Sequence, residues 1–117
     1  MNENVVKIKS FDFALRIVKL YQFLVNEKKE FVLSKQLLRS GTSIGANIRE
    51  GEHAESKADF IHKLSISLKE ANESEYWIEL LFKANYLDEI QYKSINKDLK
   101  ELLKLLISII KSSKNPK

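Results

Sequence analysis

Cysteine is missing altogether from this chain of 117 residues. That excludes disulfides, thiol catalysis and cysteine-ligated metals, and it permits a reducing compartment. Proline occurs once, at Pro116, beyond any expected helix, and the three glycines all fall within residues 41–51. Breakers this scarce, beside abundant Leu, Ile, Lys, Glu and Ala, favour long helices over a sheet. Long apolar runs are lacking too. The N-terminal stretch MNENVVKIKSFDF has none, and no small-residue cleavage site, so it does not read as a signal peptide. The most apolar stretch, residues 99–110, is interrupted by Lys100, Glu101, Lys104 and Ser108 and cannot span a bilayer. The expected address is the cytoplasm, with no membrane partner.

Hydrophobic residues make up 44% of the chain, enough at this length for one domain with its own core. Net charge is +4, a modest bias compatible with nucleic acid but not diagnostic of it. Its distribution says more. Residues 50–79 hold eight acids against three lysines, whereas residues 91–117 hold seven lysines against two acids.

Apolar periodicity predicts four helices. The first is expected over residues 10–26, with Ser10 as N-cap and Phe11, Ala14, Val18, Tyr21 and Val25 as its inward face, ended by the charged cluster 27–30. The second is expected over residues 33–53, facing inward with Leu37, Gly41, Ile44, Ile48 and Gly51, and with Ser40 and Asn47 at the edge. Gly41 and Gly45 each cost about 1 kcal/mol inside a helix relative to Ala. Gly41 lies where a missing side chain lets a neighbouring helix approach; Gly45 lies off that stripe. The third begins at Ser56, with Asp59 three positions on, and continues to Asn85, turning Phe60, Leu64, Ala71, Ile78 and Phe82 inward beside Ser67 and Ser74. Asp88 and Gln91 form a capping box for the fourth, whose seam is Tyr92, Ile95, Leu99, Leu102, Leu106 and Ile109. Connections this short make consecutive helices antiparallel. The expected fold is all-α, a single antiparallel up-down-up-down four-helix bundle ordered over about residues 10–111, with a frayed polar tail after Ile110.

The segment Leu33-Ser-Lys-Gln36-Leu-Leu-Arg39-Ser-Gly-Thr-Ser43-Ile44-Gly-Ala-Asn47-Ile48-Arg-Glu50-Gly51 resembles the core motif of the four-helix-bundle proteins encoded in bacterial 23S rRNA intervening sequences. There the motif runs Gln-Leu, two residues, Arg, then Ser-Ile-Pro-x-Asn-Ile-x-Glu-Gly. The resemblance continues through Ser56, Phe60, Leu64 and Ser67-Leu68-x-Glu70, and covers most of residues 11–110. This chain departs from the pattern at Gly45, where the family usually has proline, and at residues 26–30, where a Pro-x-x-Glu approach is absent. The resemblance implies a homopentamer with no established molecular function. The related accessory proteins of diversity-generating retroelements imply an association with nucleic acid and with a nucleic-acid enzyme, a reverse transcriptase.

Candidate sites follow from the same periodicities. Glu50-x-x-His53 and Asp59-x-x-His62 have the spacing of di-iron carboxylate–histidine pairs, but both lie off the inward direction and read better as solvated helix ends. No histidine is placed to activate a serine, and no glycine-rich phosphate loop is present, so no enzyme, metal or cofactor is expected. Lys93, Lys97, Lys100, Lys104 and Lys111 share the outer stripe of the fourth helix, and Lys35, Arg39 and Arg49 the outer side of the second. Such faces attract RNA or DNA phosphates without reading sequence, or simply keep a protein soluble.

Leu103, Leu105, Ile107 and Ile110 widen the apolar arc of the fourth helix to roughly 200°, beyond the minimal 100° stripe. With Ile66 and Trp77 on the third helix they mark either a contact between identical chains or a broad internal core. Gln36, Ser43, Asn47 and Glu50 form a polar edge that Ser67 and Glu70 are positioned to meet, a network that would fix helix register. The expected function is a non-enzymatic homo-oligomeric adaptor for nucleic acid. The alternative is a protein–protein scaffold that docks a nucleic-acid enzyme and touches no nucleic acid itself.

Overall fold

Side chains that recur at three- and four-residue steps have one way to leave water, which is helix against helix, and the computed structural model has that form. It describes residues 2–115, so Pro116 lies outside the described residues. The helices are α1 (Asn2–Asn26), α2 (Leu33–Gly51), α3 (Lys57–Lys83) and α4 (Glu89–Lys114). Each packs on two neighbours, α1 and α3 both lying between α2 and α4.

Cross-helix contacts run in opposite order along each pair. Lys9 reaches Glu101 while Arg16 reaches Asp98. Lys7 meets Glu52 whereas Ile17 lies against Gly41. Ser67 bonds Ile44 while Lys63 bonds Glu50. Phe82 stacks on Tyr92 while Glu75 pairs with Lys100. The bundle is therefore antiparallel throughout, about 50 × 22 × 19 Å in extent.

Three of the four expected inward stripes hold. Leu37, Gly41, Ile44, Ile48 and Gly51 of α2 are buried, as are Leu64, Ala71 and Ile78 of α3 and Ile95, Leu99, Leu102, Leu106 and Ile109 of α4. Ser56 caps α3 by accepting from the Asp59 N–H, and Asp88 and Gln91 form the reciprocal capping box of α4. On α3, Leu81 is buried where Phe82 was expected, Phe82 being half-buried and stacked on Tyr92 at a centroid distance of 4.2 Å. Helix α4 also continues to Lys114 instead of fraying after Ile110.

The first helix is the correction. It starts at Asn2, not Ser10, and its buried line is Val6, Ser10, Phe13, Ile17 and Leu24. Ser10 is no cap: its hydroxyl lies inside the bundle and donates to the Lys7 carbonyl at 3.0 Å. Phe11 and Val18, expected inside, are 48% and 37% exposed.

The charged cluster after α1 hides a second cap. Lys29 takes a left-handed φ of 56°, which reverses the chain, and Glu30 donates its N–H to the Leu24 carbonyl at 2.9 Å. The Glu30 carboxylate is buried and accepts from the N–H groups of Val32, Leu33 and Ser34 at 3.2, 3.0 and 2.6 Å. These are the donors that the first turn of α2 leaves without partners. Burial pushes the Glu30 carboxyl up, but the N–H bonds from Leu33, Ser34 and Val32 outweigh it, and the group rests below its ordinary value.

Glycines and serines of α2 are divided between its two neighbours. A Cβ on Gly41 would lie 2.8 Å from Ile17 Cγ1, and one on Gly45 3.3 Å from Ser10 Oγ and 3.4 Å from its backbone oxygen. Both glycines therefore admit α1, and the reason for Gly45, off the core stripe, is the passing backbone at Ser10. The hydroxyls serve α3. Ser67 donates to the Ile44 carbonyl at 2.8 Å, and Ser40 and Ser74 share a buried hydrogen bond of 2.8 Å. Ser74 also donates to the Glu70 carbonyl at 2.9 Å and Ser40 to the Leu37 carbonyl at 3.4 Å, so either hydroxyl can supply the proton between them.

Candidate nucleic-acid interface

The capping box starts α4 at a defined residue, and its buried seam then fixes which side chains point away from the bundle. Lys93, Lys97, Lys100, Lys104 and Lys111 are all exposed there, opposite Ile95, Leu99, Leu102 and Leu106. They are not equivalent. Lys93 bonds Glu89 one turn earlier at 2.8 Å, and Lys100 reaches across to Glu75 of α3. Both ammonium groups are raised above their ordinary value by those carboxylates. Lys97, Lys104 and Lys111 have no carboxylate within ion-pair distance among the described residues. At 1.5 Å of rise per residue they stand about 10 Å apart, more than the Debye length of about 8 Å at physiological salt, so each meets a phosphate as a largely separate charge.

The cations of α2 divide in the same way. Arg39 is held by Glu70 at 3.2 Å and by Glu73, whose carboxyl falls below its ordinary value through the Arg39 bond and a second one from Trp77. The guanidinium is raised in turn, chiefly by Glu73. Arg39 thus clamps α2 to α3 and is a poor phosphate ligand. Arg49 lies 5.1 Å from the Phe11 ring centroid, a cation–π contact with α1, and Lys35 is exposed.

The expected polar network is not one network. Ser43 donates to the Arg39 carbonyl and Asn47 to the Ser43 carbonyl, both within α2, and Gln36 points to solvent. Glu50 pairs with Lys63 at 2.8 Å, Glu70 with Arg39, and Ser67 bonds backbone. The side-chain pair that crosses inside the bundle is Ser40 with Ser74, because serine hydroxyls fit where two backbones run close and longer amides do not.

The expected oligomer surface is largely absorbed by the chain itself. Leu103 and Ile110 are 8% exposed and belong to the core, and Leu105 and Trp77 pack partly against it. The Trp77 indole donates to Glu73 at 3.0 Å. Ile66 is half-buried, and Ile107 is 52% exposed.

Sequence reasoning missed the outer face of α1, where Val5, Ile8, Phe11, Leu15 and Val18 are all exposed. The signal was there as two interleaved apolar lines at three- and four-residue spacing, of which only one can face the core.

His53 and His62 are exposed, and Asp59 accepts from the Glu55 N–H at 3.3 Å. Among the described residues no three His, Asp or Glu side chains converge as metal ligands, and no helix is long and apolar enough to cross a membrane.

Comparison with known proteins agrees with this architecture. The chain is similar to a protein of unknown function of the S23 ribosomal protein family from Bacteroides thetaiotaomicron VPI-5482, known from its crystal structure. The two are 69% identical with a TM-score of 0.94, over 95% of this chain and 99% of that one. No curated protein matches. Residues 2–108 match the profile described as 23S rRNA-intervening sequence protein. A bundle carrying that motif on α2, matched over nearly its whole length, belongs to the 23S rRNA-intervening sequence protein family.

Proposed function

We propose that this protein is a non-enzymatic, homo-oligomeric helical-bundle adaptor that holds RNA or DNA through the outer face of α4. The observation that carries this reading is the row Lys97, Lys104 and Lys111, exposed and without carboxylate partners among the described residues. Phosphates approaching α4 displace counterions from these ammonium groups, and repetition on every subunit multiplies a weak contact into a useful one. Five copies is the number the family resemblance supplies. Without arginine forks or interleaved aromatics on this face, binding follows backbone charge and not base sequence.

Filter binding of generic RNA and DNA at several salt concentrations tests the proposal. Replacing Lys97, Lys104 and Lys111 by Glu should abolish measurable binding, and replacing them by Gln should lower the slope of log affinity against log salt by about 2–3. Binding that survives both changes with its slope intact rejects α4 as the contact. The neutralisation of Arg39, Lys93 and Lys100 by glutamates favours a second reading, a protein–protein scaffold that docks a nucleic-acid enzyme. A flat, salt-independent baseline with wild-type protein decides for the scaffold.

A further inference from the structure

Gly51 ends α2 without a left-handed φ, so its missing side chain makes space and does not reverse the chain. The N–H groups of Glu52, His53 and Ala54 then bond back three residues, to the carbonyls of Arg49, Glu50 and Gly51, each at 3.1 Å. The last turn is tightened, and the Ile48 carbonyl loses the donor that a continuing α-helix would supply from residue 52.

A cavity of about 450 Å³ opens at this point, between the start of α1, the end of α2 and the start of α3. Val6, Ile48 and Leu64, each no more than 4% exposed, form its apolar part with Phe60. Gly51 leaves one wall bare. A Cβ there would stand 3.6 Å from Phe60, Lys63 and Leu64, so a longer side chain would claim part of the space. Glu3, Asn4 and Glu52 complete the lining, and among the described residues no Lys or Arg belongs to it. Apolar walls with a few polar groups, around several hundred Å³, are the build of a small-molecule site.

Charge selects the ligand. Glu3 and Asp59, in the first turns of α1 and α3, offset the positive ends of those helices, whereas α2 brings its negative end. Lys7 and Lys63, on the helices to either side, are already held by Glu52 at 3.0 Å and Glu50 at 2.8 Å. An anion would find no cation to meet it.

We propose that this cavity binds a small organic cation, an ammonium group carried on a short aliphatic or aromatic body. The body lies against Val6, Ile48, Phe60 and Leu64, and the ammonium group donates to Glu3, Glu52 and the Ile48 carbonyl. The site goes beyond the nucleic-acid reading and does not depend on it, since α4 contributes nothing to the lining.

The test is titration of the full chain with hexylammonium, hexanol and hexanoate, observing side-chain methyl groups by NMR. Hexylammonium should shift the methyl resonances of Val6, Ile48 and Leu64 saturably. Those of Leu24, about 27 Å further along α1, should stay in place. Hexanol should bind about tenfold more weakly, for want of charge-assisted hydrogen bonds, and hexanoate not measurably. Glu3→Gln and Glu52→Gln alter exposed side chains and leave the core untouched. Each should weaken hexylammonium about two- to fivefold, and the double variant should bind it no better than hexanol. Hexanol or hexanoate bound as tightly as hexylammonium overturns the proposal. So does the absence of shifts at Val6, Ile48 and Leu64, or an ammonium affinity that the glutamine variants leave unchanged.

Discussion

Helix α2 is gripped differently by its two neighbours. Toward α1 it offers Gly41 and Gly45, which contribute no atoms beyond the backbone and act by letting Ile17 and Ser10 come close. Toward α3 it offers Ser40 and the Ile44 carbonyl, which form directional bonds to Ser74 and Ser67, flanked by Arg39 with Glu70 and Glu73 and by Glu50 with Lys63. Small residues thus do two jobs on one helix. Clearance tolerates no added volume, whereas a serine pair tolerates a lost methyl-sized group but loses its orientation.

That contrast can be broken at several points, each read by urea denaturation. The largest effect is expected at Gly41→Leu, which drives a full side chain into Ile17 and should cost about 3 kcal/mol or more. Glu30→Ala removes the carboxylate that starts α2 and leaves buried N–H groups unpaired, for a loss of about 2 kcal/mol. The same group sets a pH dependence. Its carboxyl is depressed in the folded state, so its contribution is complete above the ordinary glutamate value of about 4.3. It is lost as pH falls through the lower folded value, and Glu30→Gln should flatten that limb of the stability curve. Ser40→Ala is expected to cost about 1 kcal/mol, and the Ser40/Ser74 double-mutant cycle should return a coupling of about 0.5–1 kcal/mol. The smallest change has the opposite sign. A Cβ on Gly51 meets only ordinary contacts at 3.6 Å, so Gly51→Ala should stabilise by about 0.5–1 kcal/mol. A loss at Gly51 as large as at Gly41 would erase the distinction between clearance and mere small size.

The candidate site was legible to uneven depth. The outward stripe of lysines on α4 could be placed because the opposite seam, Ile95 to Ile109, is unambiguous. Which lysines are free could not, since Glu75 lies on another helix and its meeting with Lys100 depends on how α3 and α4 pack. Helix α1 failed for a sharper reason. Both of its apolar lines satisfy the helical period, so Phe11 and Val18 looked as suitable for the interior as Phe13 and Ile17. Periodicity identifies a helix, but two candidate faces are told apart only by what they touch.

Order along the chain therefore determined the four helices, the caps that start α3 and α4, the inward faces of α2, α3 and α4, and the placement of positive charge on α4. Those features are local, arising from side chains within a turn or two of one another. The buried face of α1, the carboxylate lid that Glu30 places over α2, the division of glycines and serines between two seams, and the pairing of each cation were decided by tertiary structure. They depend on residues far apart in the chain reaching within a few ångströms, a condition that no spacing along one helix encodes.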